Sequence, residues 1–429
     1  MCGAIVTGMT QIVFLTLFLG LTLGPQPVGV EVTGPVASVE LILDGYSAET
    51  LEKEPWKGEI DFGSQLLPHR LVARALDADG NELARVEQRV NVPHPLAEAA
   101  LIVEAKSARL IWQSLDTEKP KDVQWILDGK RLEADSIRAP LPALDPDKPH
   151  LLRAIATSKS GGVAEAEVVF GGGMTGVAAS ALTAVPVRVD NDADVASNMA
   201  NAITVNGEPA QVVAVEQVAG DIIFVRDPTL NDFARIDPES RAHRRSGFGS
   251  VDMGRPRLEK NQGIRFFWPV AVRTRGTAPA DLFAASRTFF IADGDEIRGV
   301  LTNISAPSSE RLRFADAIAV AGLQAAASHR PRAVVLIVGS QYKDASQLTP
   351  QQTKEYLAAI GIPLYIWTTT AATATAWGEA RRIDGSDRVR DAAADLLGDV
   401  RRQRIVWIAG DHMLDEIEVS GQRVTALWK

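Results

Sequence analysis

Arg332-Ala333-Val334-Val335-Leu336-Ile337-Val338-Gly339 is the stretch that decides the fold. It is an unbroken apolar, largely β-branched run, closed by Pro331 on one side and Gly339 on the other. Such a run reads as a parallel strand buried on both faces. Residues 312–328 before it read as a helix rich in small side chains (Ala315, Ala317, Ala319, Ala321, Gly322, Ala325), which can lie close against a sheet. A second helix is expected at residues 350–360 and another apolar strand at 363–367. Helix alternating with strand, joined by right-handed crossovers, makes a doubly wound α/β sheet.

The chain has 429 residues, too many for one ordinary core, and several domains are expected. Its composition, 46% apolar and 23% charged, is that of a globular protein. A net charge of −9 argues against nucleic acid, whose binders need a basic face. Residues 1–30 carry no charge, and the apolar run from Ile12 to Leu23 suits a leader core better than a spanning helix of ~20 residues. Residues 1–24 are therefore expected to be a signal peptide or anchor, which implies a secreted, periplasmic or cell-envelope protein. Membrane contact is expected only through an uncleaved N-terminal segment. The single cysteine, Cys2, lies in that stretch, so thiolate nucleophiles and Cys-ligated metal sites are excluded from the rest.

Residues 30–170 hold an internal repeat. Val39-Glu40-Leu41-Ile42-Leu43-Asp44-Gly45 matches Val123-Gln124-Trp125-Ile126-Leu127-Asp128-Gly129, and Pro68-His69-Arg70-Leu71 matches Pro149-His150-Leu151-Leu152. Each first block is a strand running into an Asp-Gly turn, and each second block alternates as a half-buried strand. Two β-sandwiches in tandem follow, at residues 28–93 and 96–170. The pair resembles the immunoglobulin-like and fibronectin-like modules of bacterial secreted proteins. His69 and His150 hold the same place in both copies, which speaks for turn packing rather than catalysis.

Gly171-Gly172-Gly173 opens a linker at residues 171–182. A β segment follows at 183–219, with a tight turn at Asn206-Gly207 and a return strand at 211–217. It leads into Asp221-Ile222-Ile223-Phe224-Val225-Arg226-Asp227. The sequence Asn206-Gly207-Glu208-Pro209-Ala210-Gln211 followed by an apolar strand ending in Asp resembles bacterial secreted proteins with a von Willebrand factor type A-related domain. The resemblance implies an A-like domain at residues 220–429, with strands at 264–271 and 404–409, a helix at 387–401 and a closing hairpin at 416–428. Residues 228–263 depart from the family, which places a long helix there.

Type A domains hold a magnesium-type ion at the C-terminal ends of the central strands, and the resemblance places that corner at Asp227, Thr229 and Asn231. Asn231 stands where the family has a serine, Leu312 where it has a threonine, and Gly339 where it has an aspartate. Magnesium demands several hard oxygens, so the site is degenerate, and Mg2+ is expected only if a neighbour such as Asp344 or Ser340 rescues it. No other cofactor is expected. The loops carrying Ser340, Asp344 and Thr368 lie where open α/β sheets bind ligands, which makes those residues the candidates for contact with a protein partner. Trp367 and Trp377 flank the last of these loops.

The expected function is non-enzymatic protein–protein interaction of the adhesion type. Two alternatives stay open: a carbohydrate-active or hydrolytic enzyme with β-sandwich accessory modules, and an architectural envelope component.

Overall fold

A computed structural model describes residues 10–429 except 19, 94–96, 105, 115–118, 129, 135–136, 146–147, 149, 158–162, 172–181, 191–198, 200–201, 231–262, 273–281, 287, 291–293, 305–310, 340–342, 371–373, 422 and 429. The chain divides into two compact units at residue 179/180. The expected linker core, residues 172–181, lies outside the described residues.

The first unit holds two sandwiches of the same topology. In the first, β1 (Gln11–Phe14), β2 (Pro25–Thr33) and β5 (Lys57–Asp61) form one sheet, in the order β1-β2-β5. Its partner sheet, in the order β4-β3-β6-β7, is made by β3 (Ser38–Leu43), β4 (Tyr46–Leu51), β6 (His69–Leu76) and β7 (Glu82–Val90). The second sandwich repeats both sheets. One is β12-β9-β8, from β8 (Ala97–Val103), β9 (Ser107–Ser114) and β12 (Arg138–Pro140). The other is β11-β10-β13-β14, from β10 (Asp122–Leu127), β11 (Lys130–Leu132), β13 (His150–Thr157) and β14 (Val163–Phe170). All pairings are antiparallel, and this three-plus-four arrangement is that of immunoglobulin- and fibronectin-like modules.

The repeat explains the cores. Leu41 and Trp125, equivalent in the two copies, are each fully buried in the centre of their module, beside Val39 and Val123. The chain turns from β3 into β4 through Asp44 (φ 49°) and Gly45 (φ 84°), the left-handed pair that a two-residue hairpin needs.

The first module begins earlier than residue 28. Part of the stretch read as leader or anchor, residues 1–24, supplies β1, and Ile12 and Phe14 are buried in the module's interior. The sequence signal is shared: an uncharged apolar run serves equally as a leader core or as a buried strand. Among the described residues, no helix is long and apolar enough to cross a membrane.

In the second unit, a small β layer is built from β15 (Leu182–Val189), β16 (Ile203–Val205), β17 (Glu208–Pro209) and β18 (Val212–Glu216). The chain then enters a parallel sheet with β19 (Asp221–Arg226) and β20 (Gly263–Val272), edged by β21 (Leu282–Ala285) and β22 (Phe289–Phe290). α1 (Gly294–Asn303) and α2 (Phe314–Ala327) precede β23 (Arg332–Val338), and α3 (Pro350–Ala359) precedes β24 (Leu364–Thr368). A short hairpin of β25 (Ala374–Thr375) and β26 (Gly378–Glu379), then β27 (Arg381–Arg382) and α4 (Ser386–Arg401), complete the layer. The chain returns to the small β layer with β28 (Gln403–Ala409), β29 (Ile417–Val419) and β30 (Val424–Ala426).

The parallel sheet has the order β21-β20-β19-β23-β24-β27, with only its β21/β22 edge antiparallel. All seven residues of β23 are buried, as a central strand covered on both faces requires. Ile222, Phe224, Ile264, Phe266, Val335 and Ile337 meet α1 and α4 through Ile297, Leu301, Val389, Leu396 and Val400. α2 lies on the opposite face against β19, β20 and β23, with α3 beside it. The small residues of α2 permit that approach, since a Cβ on Gly322 would stand 2.1 Å from Leu357 Cδ2.

Arg332, at the start of β23, is buried and has no acidic partner among the described residues. Its guanidinium donates to Ala326 O at 3.1 Å, Gly361 O at 3.3 Å and Ile360 O at 3.5 Å. One cation thus satisfies the carbonyl ends of both α2 and α3, where the helix dipoles are negative. Burial pushes its pKa down to about 10, which leaves it charged at neutral pH.

Two expectations for the C-terminus are corrected. The strand at 404–409 does not complete the parallel sheet. It is β28, paired antiparallel with β15 and β18 in the four-stranded sheet β18-β28-β15-β30. Residues 416–428 do not form a simple hairpin either, because β29 pairs with β16 while β30 pairs with β15. The return strand expected at 211–217 likewise leaves β16 to join β28. Each segment is apolar enough to be buried, and periodicity does not say in which of two adjacent sheets.

Candidate functional site

The C-terminal ends of β19, β23 and β24 bring Asp227, Gly339 and Thr368 onto neighbouring positions, since Arg226 pairs with Ile337 and Val338 with Thr368. Asp227 is buried and folded into a local turn. Its Oδ1 accepts from Thr229 N at 2.8 Å and Thr229 Oγ1 at 2.7 Å. Its Oδ2 is buried without a hydrogen-bond partner among the described residues. Beside it, Arg226 donates to Leu301 O and Ile304 O, both at 3.2 Å, and to Leu230 O at 3.3 Å, closing the C-terminal end of α1. Burial lowers the Arg226 pKa and the charge of Asp227 pulls it back up.

The described donors do not fit a magnesium-type ion. Asp227 offers one free carboxylate oxygen, and Thr229 already donates its hydroxyl to the other. Leu312 is a buried apolar side chain. Leu230 fills the corner: a Cβ on Gly339 would meet Leu230 Cδ2 at 2.7 Å, with Asp227 Oδ2 at 3.8 Å. A buried guanidinium next in the chain also opposes a second cation there. Among the described residues, no cluster of three or more His, Cys, Asp or Glu is placed to hold a metal. Asn231 and Ser340 lie outside the described residues.

Asp344 is exposed, and its carboxylate is already engaged locally. Its carboxylate accepts from Phe314 N at 3.0 Å and Ala315 N at 3.2 Å, and from the amide and hydroxyl of Ser346. It is the N-terminal cap of α2, supplied from thirty residues downstream because Arg313 at the cap position makes no side-chain cap bond. Asp316 returns the tie, accepting from Gln347 N at 3.1 Å, Leu348 N at 3.0 Å and Arg313 Nε at 2.6 Å. Asp344→Ala is expected to cost about 0.5–2 kcal/mol of stability. Urea denaturation checks this; an unchanged midpoint would refute the capping role.

Thr368 is 1% exposed, so its side chain does not form part of a binding rim. Its hydroxyl meets Thr370 Oγ1 at 3.1 Å, and its carbonyl accepts from Ile383 N at 2.8 Å. Trp367 and Trp377 are buried too, so the aromatic pair packs instead of facing a partner. Arg226 and Leu230, which shape the corner, were not singled out by sequence. The signal available was an arginine ending an otherwise apolar strand.

No family model matches the chain, and no curated protein matches it. Among solved structures, the chain is similar to the fibronectin(III)-like modules of Clostridium thermocellum CbhA, with 14% identity over 38% of this chain and 94% of that one and a TM-score of 0.16. It is similar to the central fibronectin-III array of RIM-binding protein, with 14% identity over 42% and 75% of the two chains and a TM-score of 0.19. A bacterial ice-binding adhesin also matches, with 14% identity over 44% and 75% and a TM-score of 0.15.

Proposed function

We propose that this chain is an extracytoplasmic binding protein in which two fibronectin-like modules carry a von Willebrand factor type A-like domain with a stripped ion corner. The order of the parallel sheet carries the reading. Its central strand β19 comes first in sequence, the chain builds outward to an antiparallel edge, then crosses to β23, β24 and β27 on the other side. In open sheets of this kind ligands meet the C-terminal strand ends, here the loops following Asp227, Gly339 and Thr368. With Leu230 packed over Gly339, recognition there runs through surface contact with a protein partner instead of a shared ion.

Two measurements test the reading. Calorimetric titration of the full chain with Mg2+ and with Mn2+ is expected to give no saturable heat; a micromolar site lost in Asp227→Ala overturns the stripped corner. A photo-crosslinking residue placed at Thr229, which is exposed, is expected to capture a protein from the native envelope fraction. The same probe at Tyr46, 80% exposed in the first module, serves as comparison. Capture from Tyr46 alone would move the binding function to the sandwiches.

A further inference from the structure

The two sandwiches close one corner in the same way. In each, the Asp of the turn after the third strand swings its carboxylate to the first residues of the sixth. Asp44 Oδ2 lies 2.7 Å from His69 Nδ1, and Asp44 Oδ1 accepts from Arg70 N at 2.8 Å. Asp128 Oδ2 lies 2.8 Å from His150 Nδ1, and Asp128 Oδ1 accepts from Leu151 N at 2.9 Å. The backbone amides of Asp44 and Asp128 answer by donating to Arg70 O and Leu151 O, both at 2.9 Å. Both aspartates adopt φ 49°, the left-handed setting that aspartate tolerates better than most side chains.

The copies part at the far side of the imidazole. His150 Nε2 lies 3.1 Å from Asp145 O, a carbonyl that only accepts. A ring with a carboxylate at one nitrogen and a carbonyl at the other is satisfied only when both nitrogens carry protons, which is the imidazolium. Among the described residues, His69 Nε2 is buried without a hydrogen-bond partner, beside the Phe62 ring at 5.5 Å. The His69 ring therefore lacks the second acceptor that His150 has.

We propose that the second module is clasped by a charged histidine–aspartate pair that loosens as pH rises. The charged groups facing His150 are Asp128 on the turn after β10 and Asp145 on the loop before β13. Lys148 pairs with Asp145 at 3.1 Å, Lys130 acts on Asp128, and β14 contributes the Phe170 ring at 5.8 Å. The hydrogen bond to Asp128 raises the His150 pKa above the ordinary histidine value, against a smaller effect of burial. The His150 hydrogen bond in turn lowers that of Asp128. The signs follow by linkage. The His150 contribution is complete below its unfolded pKa and is lost as pH rises through the folded value. The Asp128 contribution is present above its unfolded pKa and is lost as pH falls through the folded value. The second module's clasp is therefore strongest in mildly acidic solution.

Ring nitrogen and carbon NMR of the six histidines in the full chain tests this, with His69→Gln and His150→Gln supplying the assignments. His150 is expected to stay doubly protonated to a higher pH than in the urea-unfolded chain, and Asp128→Asn to bring its midpoint down. The Leu151 amide is expected to exchange faster as His150 deprotonates, beyond the chemical rise. A His150 midpoint at or below that of the urea-unfolded chain overturns the proposal, and the wild-type spectra alone decide this if a variant fails to fold. A His150 midpoint unmoved by Asp128→Asn overturns it as well.

Discussion

A chain shortened to begin at Pro25 will lose the cooperative fold of its first module while the second stays folded. Residues 11–24 do more than border that module. Ile12 and Phe14 stand in its core with Val28, Val30, Leu41 and Leu71. Beyond β1 the chain crosses to the other sheet. Gln88 Nε2 donates to Thr16 O at 3.0 Å, Thr22 N donates to Asn91 Oδ1 at 2.6 Å, and Asn91 Nδ2 returns a bond to Thr22 O at 2.8 Å. The Phe18 ring sits edge-on to Phe62 at 5.1 Å. Removing this segment uncovers the core between the two sheets, and each lost apolar side chain forfeits about 1.5–3 kcal/mol. That is a large share of the stability of a single small domain. Hydrogen exchange reads the outcome: protection across His69–Leu76 is expected to collapse while His150–Thr157 keeps its own. Phe14→Ala in the full-length chain is the milder version, at about 3–5 kcal/mol. Unchanged protection in the shortened chain would mean that β1 is dispensable and that the stretch is free to act as a leader.

Arg332→Ala is the second large effect, expected at about 3–5 kcal/mol from the cavity and the carbonyls left without a donor. The guanidinium reaches the ends of two helices at once, and its backbone is pinned on the other side by Gln403, whose amide accepts from Arg332 N at 2.8 Å and donates to Arg332 O at 3.1 Å. Arg332→Lys should recover only part of the loss, because an ammonium lacks the planar fork that spans three carbonyls. Denaturant titration of both variants checks the ranking. Equal stability of the lysine variant and the wild type would show that charge alone suffices.

The parallel layer was legible because its signals are local. Residues 332–338 read as a buried strand and are buried throughout, and the small residues of α2 announced a close neighbour. The repeat was legible because Leu41 and Trp125 sit at one place in two copies of the same strand. Ile405, Val406 and Ile408 were as apolar as β23, yet they belong to the small sheet. Burial dictates an apolar run, and strand pairing across 220 residues of chain decides the sheet. The same holds at the site. The Asp227–Thr229 turn spans two residues and was visible, whereas Asp344 caps a helix thirty residues upstream, and nothing near it in the chain announces that partner.

The small β layer also settles how the second unit carries load. The chain enters on β15 and leaves on β30, which are direct antiparallel neighbours, with Val187 opposite Ala426 and Val189 opposite Val424. Tension applied at Leu182 and Ala426 therefore pulls on the same end of that strand pair and peels it open one rung at a time. The parallel layer hangs off this seam as a side loop and stays slack until the seam gives way.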